Sequence, residues 1–161
     1  MVRFKNRWIL FEILYDHSIP PIISTTVPQQ VAALSTGTVN TLIRESIREN
    51  FGEWGMGCVV SSLNMKYFSP YTNIGIVRVA RDHYRILWGA LTFIKEIRGT
   101  PCVVRALHLS GTIIKAQNAA IEYDRDQILN LKRQAELNGD KDFNAEELLQ
   151  ESRQEIMAIE N

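Results

Sequence analysis

Cys58 and Cys102 are the two thiols of this 161-residue sequence, and His17, His83 and His108 are its three imidazoles. The cysteines stand 44 positions apart, with no C-x-x-C pair and no histidine at ligand spacing, so neither a zinc site nor a disulfide framework is indicated. Two reduced core thiols are the expected state. His17 falls in a loop, His83 at a helix start and His108 in a strand, none beside a group that would make it a general base, so structural or solvated roles are expected. Glu122, Asp124 and Asp126 could suggest a metal site, yet alternate residues of a helix do not face one another, and a solvated acidic face is expected instead. Nucleophilic catalysis has no G-x-S-x-G elbow here, and nucleotide binding has neither G-x-G-x-x-G after a strand nor G-x-x-x-x-G-K-[ST]. Gly52, Gly55 and Gly57 read as turn glycines.

The chemistry that remains is phosphate neutralisation. Arg3, Lys5, Arg7, Lys66, Arg78, Arg81 and Arg105 fall in strand-like segments, and Thr112 and Lys115 fall at a helix start, where unpaired backbone N–H groups attract anions. The formal net charge is zero, but it sums two unlike parts. Residues 1–115 carry 13 Lys/Arg against 7 Asp/Glu, an excess of six positive charges, and residues 116–161 carry 5 against 11, an excess of six negative ones. Such asymmetry points to a polyanion for the body and a different partner, or none, for the tail.

The elements that must position these residues follow from periodicity. Residues 2–15 suit a strand, with Arg3, Lys5, Arg7, Ile9 and Phe11 on one face and Val2, Phe4, Trp8, Leu10 and Leu14 on the other. A proline-, serine- and threonine-rich loop follows, with a short helical turn at Pro28–Leu34. Val39, Leu42, Ile43, Ile47 and Phe51 form a helical stripe over 38–51, with Gly52 as its C-cap. Residues 58–68 and 74–81 alternate around Ser69–Asn73 and read as a hairpin. Asp82 caps a helix with the stripe Tyr84, Leu87, Trp88, Leu91 and Ile94, ended by Gly99 and Pro101. A strand over Cys102–Leu109, a helix over 113–137 and a final helix over 145–159 complete the chain.

The order β-α-β-β-α-β predicts an α/β (α+β) domain: a ferredoxin-like, RRM-like antiparallel sheet with a C-terminal helical extension. Strands two and four would form opposite edges, too far apart for Cys58 and Cys102 to bridge. Two helices would cover one sheet face, leaving the other to solvent, RNA, another protein or the chain's own C-terminal helix. The aromatic RNP1 pattern is absent from Ile74–Arg81, so bound RNA would be held by shape and backbone rather than by base reading. No stretch approaches the roughly 18 apolar residues of a membrane span, and an intracellular, soluble protein is expected.

Four segments in register, Met1–Glu12, Lys66–Val79, Trp88–Ile94 and Leu109–Lys115, resemble the Pop-five family of ribonuclease P and ribonuclease MRP protein subunits, in a eukaryotic, fungal form. The usual Thr-Gly of the hairpin turn is Thr72–Asn73 here, and Asn tolerates the left-handed conformation such a turn needs. The resemblance divides the chain into an RNA-associated domain over 1–120, with a loop insertion at 17–37, and an acidic helical extension over 121–161. It implies a non-catalytic subunit that stabilises a large catalytic RNA for precursor tRNA 5′-leader removal and precursor rRNA processing, in the nucleus and nucleolus. Mg2+ would serve in the RNA active site, with no cofactor bound by this chain alone. Arg3, Lys5, Arg7, Lys66, Arg78, Arg81, Thr112 and Lys115 would be the RNA neighbours. The implied protein partners are a barrel-like subunit, Rpp-one or Rpp-thirty, and a second small subunit of similar fold. The tail's Leu148, Leu149, Ile156 and Ile159 would meet protein, since phosphates repel its acidic residues.

Two other readings share the topology. A protein–protein adaptor without direct RNA binding would carry its basic surface incidentally and would bind with little dependence on salt. An acylphosphatase-like enzyme needs an arginine in a phosphate-cradling loop beside a catalytic asparagine, and no such loop is present.

Overall fold

Strand β1 (Asn6–Tyr15) alternates large apolar residues on both sides, so it can only be a central strand covered twice. A computed structural model describes residues 5–15, 34–137 (backbone alone at 134–136) and 145–159. It contains α1 (Thr36–Val59), β2 (Asn64–Phe68), β3 (Ile74–Ala80), α2 (Tyr84–Phe93), β4 (Glu96–Ile97), β5 (Thr100–Ser110), α3 (Ile113–Leu137) and α4 (Ala145–Met157). The sheet order is β2-β3-β1-β5-β4, with every pairing antiparallel. Without the two-residue β4, this is the expected ferredoxin-like arrangement. Cys58 and Cys102 are both free thiols.

Ile9, Phe11 and Ile13 of β1 pack with Ile43 and Ile47 of α1 and Leu87 and Leu91 of α2 in one core. Trp8 and Leu10 pack on the opposite face with Ile113, Ala116 and Ala120 of α3 and Ile156 of α4. The chain's own C-terminal helices therefore cover the second sheet face around Trp8 and Leu10. Gln117, itself buried, donates from Nε2 to the carbonyls of Ile156 (2.9 Å) and Ile159 (3.1 Å). These bonds tie the end of α4 and the residues just after it to α3.

Several boundaries differ from the sequence reading. Ser35 caps α1, accepting from the Thr38 N–H at 3.1 Å. Gly52 breaks the helical path, as expected, with φ 67° and ψ −170°, but a second helical stretch continues to Val59. Gly55 and Gly57 are thus helical, and Cys58 lies on α1 rather than on a strand. Gly55 abuts Phe51, which leaves no room for a larger residue there. Asp82 does not cap α2: it lies in a 3-10 turn over Arg81–His83, and α2 starts after His83 with no side-chain cap bond. Gly99 does not end that helix either. Arg98 (φ 52°) and Gly99 (φ 77°) turn the β4–β5 hairpin, both with the positive φ that a type I′ connection requires. Asn73 adopts φ 55°, so the β2–β3 turn forms without glycine. The helical turn expected at 28–34 and nearly all of the loop at 17–37 lie outside the described residues. No described helix is long and apolar enough to cross a membrane.

Candidate nucleic-acid interface

Antiparallel pairing gathers distant basic residues at one end of the sheet. Trp8 of β1 faces Arg78 of β3 on one side and Ser110 of β5 on the other, and Asn6 faces Ala80. The Arg81 N–H donates to the Lys5 carbonyl at 2.8 Å, which continues the ladder past β3. Lys5, Arg7, Arg78 and Arg81 therefore share the end from which α3 departs. There the Thr112 N–H donates to Ser110 Oγ (3.1 Å), and that hydroxyl donates to the Thr112 carbonyl (2.9 Å). This closed turn leads into α3, and Thr112 and Lys115 beside its start are exposed.

Arg7 is held over that turn. Its Nη1 donates to the Asn6 carbonyl at 3.1 Å and lies 3.3 Å from where a Cβ on Gly111 would stand. A larger residue at 111 would crowd the guanidinium. Arg78 is half-buried, with its guanidinium carbon 6.0 Å from the centre of the Trp8 ring. Its Nε is buried without a hydrogen-bond partner among the described residues. The ring's face attracts the cation while leaving its donors open. Arg81 is exposed beside Asp82 at 3.5 Å, a pairing that solvent weakens. Together these cations and the positive end of a 25-residue helix form a surface suited to phosphates.

The structure thus brings together Lys5, Arg7, Arg78, Arg81, Thr112 and Lys115. Lys66 stands apart on edge strand β2, at a bulge between Met65 and Tyr67. Arg3 lies outside the described residues. Arg105, counted with the strand cations in the sequence, belongs elsewhere: its Nε donates to Glu12 Oε1 at 2.6 Å, and its Nη2 also meets that carboxylate. Glu12 is 2 % exposed, so the charge of Arg105 is engaged in neutralising a buried group. The cations left without a buried carboxylate partner therefore gather at the end of the sheet.

The acidic triplet also needs correction. Glu122 and Asp126 are exposed, but Asp124 is buried, and its Oδ2 accepts from Ser152 of α4. The signal was present in α3, where Ile113, Ala116, Gln117, Ala120, Asp124 and Ile128 share one helical stripe. Among the described residues, no group of three or more His, Cys, Asp or Glu side chains could hold a metal ion. His83 is half-buried at the start of α2, His108 has a buried Nε2 without a partner among the described residues, and His17 lies outside them. Of the tail's apolar residues, Ile156 is fully buried inside the chain, so it cannot meet a partner. Leu148, Leu149 and Ile159 are partly buried, Ile159 against the same core.

Residues 7–121 match the model of a family described as the Rpp14/Pop5 family, a match that ends within α3. The chain is 45% identical over 131 residues to the Ribonuclease P/MRP protein subunit POP5 of Schizosaccharomyces pombe, covering 81% of this chain and 94% of that one. It is 29% identical to the human protein of the same name, covering 88% and 83%. A chain in the cryo-EM structure of yeast ribonuclease MRP shares the fold, with a TM-score of 0.50 at 15% identity, covering 87% of this chain and 96% of that chain.

Proposed function

This chain belongs to the Rpp14/Pop5 family, and from that premise we propose that it is a protein subunit of the ribonuclease P and ribonuclease MRP ribonucleoproteins. In this role it contributes no catalytic group. It stabilises the large RNA that removes the 5′ leader of precursor tRNA, and the related RNA that processes precursor rRNA, in the nucleus and nucleolus. Mg2+ belongs to the RNA active site. The protein's part is electrostatic and geometric: Lys5, Arg7, Arg78, Arg81 and Lys115, with the start of α3, neutralise phosphates that must lie close together in the folded RNA. A barrel-like subunit and a second small subunit of similar fold are its protein neighbours. The observation that carries this reading is the 45% identity over 94% of a named ribonuclease P/MRP subunit, joined to the clustering of cations at one end of the sheet.

The test is recovery of the native protein from cell extract, followed by sequencing of the RNA bound to it. Enrichment of one or two large structured RNAs, with precursor tRNA cleavage in the same fraction, is the expected outcome. Protein recovered without any large RNA would favour an adaptor that binds only protein.

A further inference from the structure

Helix α4 meets the β2–β3 hairpin and α3 around a small cleft that the RNA-facing end does not use. The cleft has a volume of about 160 Å3, and its walls include Tyr67, Tyr71, Thr72, Asp124, Glu151 and Glu155. That volume suits a single side chain, since pockets for drug-sized ligands begin at roughly 300 Å3. Among the described lining residues three are carboxylates and none is basic.

Two residues that line this cleft carry a buried side-chain oxygen with no hydrogen-bond partner among the described residues. Asp124 is 2 % exposed, and while its Oδ2 accepts from Ser152, its Oδ1 has no hydrogen-bond partner among the described residues. Thr72 Oγ1, contributed by the hairpin turn, is likewise buried and unpartnered among the described residues. Leaving a buried oxygen unpaired is costly, and more so when the group is charged. Glu151 and Glu155, one turn apart on α4, are exposed, as is the Tyr71 ring at 68 %. Together these features describe a site for a cation with several donors and a flat shape.

We propose that the cleft takes the guanidinium of an arginine presented by a protein partner. A planar guanidinium offers five N–H donors, enough to serve Asp124 Oδ1 and Thr72 Oγ1 at once, and it lies well against a tyrosine ring. A lysine ammonium holds its water more tightly and cannot span acceptors in the same fixed geometry. Phosphate is excluded by the three carboxylates, so the occupant is protein rather than RNA. The short apolar walls from Ile128 and Leu148 would accommodate the methylene stem.

The full-length protein, 15N-labelled, is titrated with N-acetyl-arginine methylamide and in parallel with its uncharged, near-isosteric citrulline analogue and its lysine analogue. The arginine probe should shift the amides of Tyr71, Thr72 and Ser152 saturably, bind several-fold tighter than lysine, and leave citrulline without effect. Asp124→Asn should weaken the arginine probe by about tenfold, equivalent to about 1.4 kcal/mol. If that change loosens α4, the exposed double variant Glu151→Gln/Glu155→Gln should still weaken binding several-fold in a folded chain. Equal shifts with citrulline, lysine binding as tight as arginine, no saturable shift, or unchanged affinity in the double variant would overturn the proposal. The titration uses no RNA, so its failure would leave the proposed RNA contact standing.

Discussion

Arg7 and Arg105 are alike as letters in a basic, strand-like context, and only pairing tells them apart. Arg7 sits over the β5–α3 turn with its guanidinium toward the sheet's end, whereas Arg105 serves the buried Glu12. Arg105→Met should therefore lower stability by about 2–3 kcal/mol, toward or below the low end of the range for a broken buried pair because the arginine is more than half exposed. Urea denaturation measures that loss, and incorporation into the RNA particle should be unchanged at protein concentrations where the variant is folded. Cys102 supplies a pH signature. Burial, and after it the Glu96 carboxylate, push its thiol from an ordinary 9.0 up to about 11. Below pH 9 both folded and unfolded chains hold the proton; between about 9 and 11 the unfolded chain loses it first, so stability falls as pH rises. Cys102→Ala should remove part of that alkaline loss in denaturation curves taken above and below pH 9. Part will remain, since burial also raises the phenols of Tyr15 and Tyr67. Asp124 shows the reverse difficulty: its burial depends on α4, and no spacing within α3 alone names Ser152 as its partner.

At the scale of elements, periodicity located the long helices and the central strand well, because each buries a stripe or a face of its own. It failed where a few residues are shaped by context. Strand β4 has two residues, too few to alternate, and its Arg98–Gly99 turn resembled a helix stop. Gly52 does interrupt α1, but its single left-handed residue permits a further helical stretch that covers Met56 and Val59. The final helix was legible as amphipathic, yet its apolar stripe fits a partner and the chain's own sheet equally well. Ile156 packed with Trp8, Leu10, Ile74 and Ile76 decides for the sheet, and Gln117 of α3 holds the helix end there. Ile156→Ala should cost about 2–5 kcal/mol through the cavity it leaves beside Trp8 and Ile76. Hydrogen exchange should then show α4 amides losing protection before those of β1.

For the whole molecule, the zero net charge conceals an arrangement with one chemical direction. The acidic C-terminal helices lie against one sheet face and α1 and α2 against the other, and the strand cations Lys5, Arg7, Arg78 and Arg81 gather at the end where α3 begins. Sequence patterning supplied the basic body, the acidic tail and the ferredoxin-like order. It could not supply which cations converge, since convergence comes from the register that sets Trp8 between Arg78 and Ser110. The direct test is the affinity of the purified chain for the large RNA of its particle across a range of salt, compared with the variant Lys5→Glu/Arg7→Glu/Lys115→Glu. The native chain should lose affinity steeply as salt rises, and the variant should bind more weakly with a log–log slope shallower by about one per phosphate contact removed, at unchanged thermal stability. Native affinity indifferent to salt, or a variant that binds as tightly as the native chain, would contradict the placement of RNA at this end of the sheet.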